Sequence, residues 1–155
     1  MTSNDLKQTI HGMLLRMNVA VERIEVAEAD GSCRFAVTAG DSPLLIGPRG
    51  AHLYALNHII RKIAAKGGNE ERDITVDING YQEAAAIHLK NMAKIMGERA
   101  RSFKSNITLD PMSSYERMII HSFFQDAQDL VTQSVGEGEN RHIVIKYVEN
   151  KALGN

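Results

Sequence analysis

Residues 44–50 read Leu44-Leu-Ile-Gly-Pro-Arg-Gly50, and an amphipathic helical pattern starts directly behind them. An apolar half-turn runs into Gly-x-x-Gly, which joins two helices tightly and leaves almost no side chain over the joint. Such bareness lets a phosphodiester backbone approach main-chain N–H groups at a helix N-terminus, where the helix dipole also favours anions. Arg49 is the cation at the tip, between Pro48 and Gly50. A second reading stays open here: a helix–helix turn that needs Gly47 and Gly50 only for sharp dihedrals.

Upstream, Leu6, Ile10, Met13, Leu14 and Met17 recur at helical spacing and predict a helix over Leu6 to Met17. Val19 to Ala27 and Cys33 to Ala39 read as strands joined by Asp30-Gly31, a strong hairpin signal. Downstream, Leu53, Leu56, Ile60 and Ile63 make one helical stripe, which Gly67-Gly68 ends. Ile74, Val76 and Ile78 alternate with Asp73, Thr75 and Asp77, predicting a strand with one wet face.

After Asn79-Gly80 a long helix is expected, with Ala85, Leu89, Met92, Met96, Ala100 and Phe103 on one face. A short strand over Asn106 to Leu109 precedes the turn Asp110-Pro111-Met112. Ser113-Ser-Tyr-Glu116 has capping-box spacing, with Ser113 reaching the third helical N–H and Glu116 reaching back. The helix it opens carries Met118, Ile119, Ile120, Phe123 and Phe124. Two last strands, about Leu130 to Val135 and Arg141 to Val148, flank the loop Gly136 to Asn140. The fold class expected is α+β: two small α/β units that meet through the long helix.

Composition narrows the function. With 43% apolar and 24% charged residues the chain can bury a core and stay soluble. No apolar run approaches the roughly 20 residues that cross a bilayer, and residues 1–18 have no signal-peptide core, so a cytoplasmic protein without direct membrane insertion is expected. The net charge of −1 argues against coating nucleic acid by bulk electrostatics, so any such binding must use local patches. Basic residues bunch at Arg61-Lys62 with Lys66, at Arg99, Arg101 and Lys104, and at Arg141-His142 with Lys146. Aromatic residues are only 5% with no Trp, which supplies a base-stacking platform poorly.

Catalysis finds no support. Asp73 and Asp77 share a strand face, but four residues of extended chain separate their Cα atoms by about 13 Å, too far to hold one ion jointly. Asp126 and Asp129 have no evident third acidic partner. There is no Walker phosphate loop and no His-Glu-x-x-His, and the six histidines are scattered. The lone Cys33 lies in a strand pattern beside Phe35, which makes it a poor nucleophile and excludes an internal disulfide. No catalytic residue, metal ligand or cofactor is therefore expected.

One more constellation stands out. Arg117 and His121 are four residues apart on the capped helix and so share a face. The guanidinium fork suits phosphate oxygens, and the imidazole adds a donor or a ring that stacks on a base. The alternative is an ordinary surface pair. In the loop Gly136 to Asn140, Glu137 and Glu139 repel phosphate and favour a plain hairpin, while Arg141 just behind it is aimed, on this reading, toward the Arg117 face.

Taken together, Leu45-Ile-Gly-Pro-Arg-Gly50, Asp77-Ile-Asn-Gly-Tyr81, Leu109-Asp-Pro-Met-Ser-Ser-Tyr-Glu-Arg117 and Gly136-Glu-Gly-Glu-Asn-Arg141 resemble the Jag (SpoIIIJ-associated, KhpB-like) family of bacterial RNA-binding proteins. The resemblance covers about residues 4–148. It implies a KH domain of the bacterial, type II-like arrangement over 1–79, an Arg-x-x-x-His single-stranded nucleic-acid-binding domain over 80–149, and a tail over 150–155. It also implies a non-catalytic binder of single-stranded RNA, and of single-stranded DNA, in post-transcriptional regulation. The site residues would be Gly47, Pro48, Arg49 and Gly50 in the loop, with Arg117, His121 and Arg141 in the second domain. A homodimer or a small KH-domain partner is a further expectation, and a protein–protein adaptor is the alternative function. Two departures stand against the pattern: the family's separate amino-terminal domain is missing from this sequence, and Pro48 stands where a basic residue is common. Proline removes an N–H donor and a cation together.

Overall fold

The computed structural model describes residues 1–70 and 72–149, so the expected tail over 150–155 lies outside the described residues. The architecture is mixed α+β in two compact units, Met1–Glu83 and Ala84–Asn155, each with its own hydrophobic core.

The first unit opens with α1 (Ser3–Arg16), three residues earlier than the apolar spacing alone predicts. The reason is a capping box: the Thr2 hydroxyl accepts from the Asp5 N–H, and the Asp5 carboxylate accepts from the Thr2 N–H. Strands β1 (Val21–Ala29) and β2 (Ser32–Ala39) form the expected hairpin. Asp30 and Gly31 both take positive φ (41° and 81°), the left-handed pair that a two-residue hairpin turn needs. Helices α2 (Ser42–Ile46) and α3 (Ala51–Lys66) then carry the chain across to β3 (Asp73–Ile78). A parallel neighbour demands such a crossover, and β3 does pair parallel to β2, giving the order β1-β2-β3. Leu6, Ile10 and Leu14 of α1 and Leu53 and Ile60 of α3 are buried in one core with Phe35, Ile74 and Val76.

The wet face expected for β3 is corrected at its end. Asp73 is exposed, but Asp77 is only 1% exposed. Its carboxylate accepts from Arg34 Nη2 at 2.9 Å and from the Gln82 N–H at 2.9 Å, so a charge predicted to face water instead anchors the start of the next helix. The outer edge of β3 is closed from α3. Buried Asn57 donates to Val76 O (2.8 Å) and accepts from Val76 N (2.7 Å), and Arg61 Nε donates to Ile74 O (2.8 Å).

In the second unit, α4 (Tyr81–Phe103), β4 (Ile107–Thr108), α5 (Ser114–Phe123), β5 (Leu130–Val135) and β6 (His142–Tyr147) build a sheet of order β4-β6-β5, antiparallel throughout. The predicted face of α4 is rotated at its end. Leu89, Ala93, Gly97 and Ala100 are buried, whereas Phe103 is 75% exposed. Gly97 explains the register: a Cβ there would lie 2.7 Å from the Phe124 ring, so the helix approaches α5's end through its smallest residue. On α5, Ile119 and Ile120 are buried, while Met118 and Phe123 are exposed. The Ser113–Glu116 capping box forms as the spacing predicts.

Candidate nucleic-acid interface

Gly47, Pro48, Arg49 and Gly50 make a single turn of 3₁₀ helix between α2 and α3. Gly47 has φ 69°, ψ 178°, a region open essentially to glycine, and an added Cβ would meet the His52 ring at 2.4 Å. His52 is itself fixed, its Nδ1 donating to Leu44 O at 2.7 Å. Gly50 (φ 79°) is buried, and a Cβ there would lie only 3.0 Å from the Tyr81 ring. Arg49 holds a left-handed φ of 53°, and both it and Pro48 are exposed.

Several N–H groups expected to face a phosphate are already used. Gly47 N donates to Pro43 O (3.0 Å), Gly50 N to Gly47 O (3.2 Å), and Ala51 N to Pro48 O. Pro48 has none. The turn therefore offers an anion its bare surface and the Arg49 guanidinium more than a row of main-chain donors.

Arg117, His121 and Arg141 belong to the second unit. The capping box orients the first turn of α5, which brings Arg117 Nη1 to Met112 O at 2.6 Å. Met112 N in turn donates to Arg141 O at 3.2 Å, so the Met112 peptide links the helix start to the start of β6. The Arg141 guanidinium does not join Arg117. Its Nη1 donates to Gly136 O at 2.8 Å and braces the β5–β6 loop, which corrects the expectation that it points toward the Arg117 face.

His121 lies one turn beyond Arg117, half-buried. Its Nδ1 is 2.5 Å from Thr132 Oγ1 and its Nε2 is 3.0 Å from Ser134 Oγ. The imidazole thus spans two hydroxyls of β5 and is held edge-on by both nitrogens. Burial, and then the neighbouring Arg117 guanidinium, push its pKa below the ordinary histidine value. A neutral ring donates through one nitrogen and accepts through the other, which two hydroxyls can satisfy together. Sequence reasoning does not reach Thr132 and Ser134 as site residues. Period-two spacing puts them on one strand face, but nothing in the sequence joins that face to α5.

The basic bunches are also partly engaged. Arg101 makes a two-pronged ion pair with Asp129 (2.7 and 3.0 Å), which raises the arginine pKa further through that hydrogen bond. Among the described residues there is no group of three or more His, Cys, Asp or Glu able to hold a metal ion, and no helix is long and apolar enough to cross a membrane.

A module of known class coincides with this geometry. The family of the R-3-H domain, named for an arginine and a histidine separated by three residues, matches residues 87–147. That span contains Arg117, His121, Thr132, Ser134 and Arg141. Over a longer stretch the chain is similar to the RNA-binding protein KhpB of Clostridium symbiosum, 31% identical over 130 residues, which cover 83% of this chain and 59% of that protein. The KhpB of Bacillus subtilis is 32% identical over 126 residues, 80% of this chain and 61% of that protein. The chain thus spans about three fifths of the length of these curated relatives.

Proposed function

We propose that this chain is a non-catalytic RNA-binding protein of the Jag/KhpB kind, with a KH domain over residues 1–79 and an Arg-x-x-x-His domain over 80–149. It binds single-stranded RNA, and single-stranded DNA by the same backbone chemistry. The observation that carries the reading is the arrangement at the start of α5. Met112 O takes one of Arg117's five guanidinium donors and fixes the fork at a capped helix start, so that the remaining donors are preorganised for phosphate oxygens. The similarity to two proteins named for RNA binding supports the ligand class.

In this reading the Gly47–Gly50 turn lets the sugar-phosphate backbone approach closely, with Arg49 as its cation and Pro48 adding none. Arg117 supplies the stronger phosphate contact. His121 and Arg141 hold the surface around it, His121 through Thr132 and Ser134, and Arg141 through Gly136. Two sites on one strand raise apparent affinity without new contacts.

Titration with labelled oligo-uridine at several salt concentrations tests the function. Log K should fall against log salt with a slope of roughly 0.7 per neutralised phosphate. Arg117→Ala should lower both the affinity and that slope. Absence of binding at low salt overturns the proposal and leaves the adaptor reading, in which the first unit serves as a protein-binding surface.

A further inference from the structure

The first unit has a groove that neither proposed nucleic-acid site uses. It lies between α1 and β1, with a cavity volume of about 510 Å³, and its walls include Lys7, His11 and Gly12 of α1 and Glu22 and Arg23 of β1.

The two edges of the adjoining sheet are treated differently. At β3 the side chains of Asn57 and Arg61 hydrogen-bond the outward peptide groups of Val76 and Ile74, so that edge cannot accept another strand. At β1, β2 is the single strand partner among the described residues. An uncovered strand edge beside a groove is the arrangement that takes up an extended peptide as an added strand, with alternate side chains reaching into the groove.

Gly12 is the second observation. Glycine inside a helix is unfavourable, and here the fold does not require it: a Cβ would meet only Arg16 Nη1, at an ordinary 3.8 Å. An unforced glycine in a groove wall leaves room for something to approach the helix backbone. Charge indicates what. Of the acidic residues on β1, Glu28 is paired with Arg72 and Glu25 with Arg23, which leaves Glu22 facing Lys7, Arg23 and His11.

We propose that the α1–β1 groove docks an extended acidic peptide segment of a partner protein, which adds as a fourth strand along β1 and sets its carboxylates toward Lys7, His11 and Arg23.

Fluorescence anisotropy with the full chain tests this, using a labelled peptide of about eight residues that alternates Glu with Val. Two control peptides have Lys in place of Glu, or N-methyl groups on alternate amides. The acidic peptide should bind, and both controls should bind at least about tenfold more weakly, because one reverses the charge and the other blocks strand pairing. Lys7→Glu with Arg23→Glu should cost a similar factor. Gly12→Ala should weaken the peptide while raising the unfolding temperature, a pairing that a merely structural glycine would not give. Equal affinity for acidic and lysine peptides, or no binding of the acidic one, overturns the proposal. So does displacement of the peptide by oligo-uridine, which would make the groove a nucleic-acid surface. A concentration-dependent dimer in sedimentation equilibrium that is lost in the Lys7→Glu, Arg23→Glu variant would assign the groove to a second copy, and equally overturns it.

Discussion

Protonation of His121 is opposed twice, by burial of the ring and by the Arg117 guanidinium one turn away. In the unfolded chain this histidine takes up a proton as pH falls through its ordinary value of 6.5, while the folded imidazole resists. The stabilising contribution is therefore complete above that value and declines as pH falls below it. Urea titrations between neutral and mildly acidic pH should show the loss, and His121→Gln should flatten it. A phosphate bound at Arg117 would partly cancel the guanidinium's field, so RNA should raise the His121 pKa, readable from the imidazole proton shifts. Gly47 allows a prediction of another kind. Gly47→Ala forces a side chain into φ 69°, ψ 178° with its Cβ against His52, at a cost of about 1–3 kcal/mol by thermal melting.

Among elements, α5 and the edge of β3 show how local and non-local forces divide the work. The capping box of α5 is local: Ser113, Glu116 and the apolar positions behind them announce the helix, and Ser113→Ala should destabilise it by about 1 kcal/mol. Loss of that cap should also loosen the Arg117–Met112 bond and weaken oligo-uridine binding. The closure of β3 is non-local. Asn57 reads in sequence as a polar residue on a helix, yet it is 2% exposed and satisfies both peptide groups of Val76, nineteen residues away. Asn57→Leu would leave a buried donor and acceptor unpaired, with an expected loss of about 2–3 kcal/mol in chemical denaturation. Asp77 misled the alternation pattern for the same reason. Periodicity reports which face a residue occupies, not whether a distant arginine and a helix N–H will meet it there.

On the scale of the molecule, each unit has its own buried cluster, Leu6 to Ile78 in the first and Leu89 to Ile145 in the second. Ile120→Ala, at a fully buried position, should cost about 2–5 kcal/mol and speed amide exchange in β5 and β6. Exchange in β1 to β3 should be unchanged if the cores are independent. The element order, the Asp30-Gly31 hairpin and the Ser113 cap were legible in the chain because turn chemistry and apolar period act between near neighbours. So were the Gly47–Gly50 turn and the shared helix face of Arg117 and His121, whose spacing is enough to set them side by side. The partners of those residues were not legible. That Gly47 backs onto His52, that Met112 O holds Arg117, that Thr132 and Ser134 hold His121, and that Arg141 turns to Gly136 depended on how strands and helices pack. A side chain's hydrogen bonds are settled by whatever the rest of the chain brings within about 3 Å of it, and spacing along one element carries no record of that.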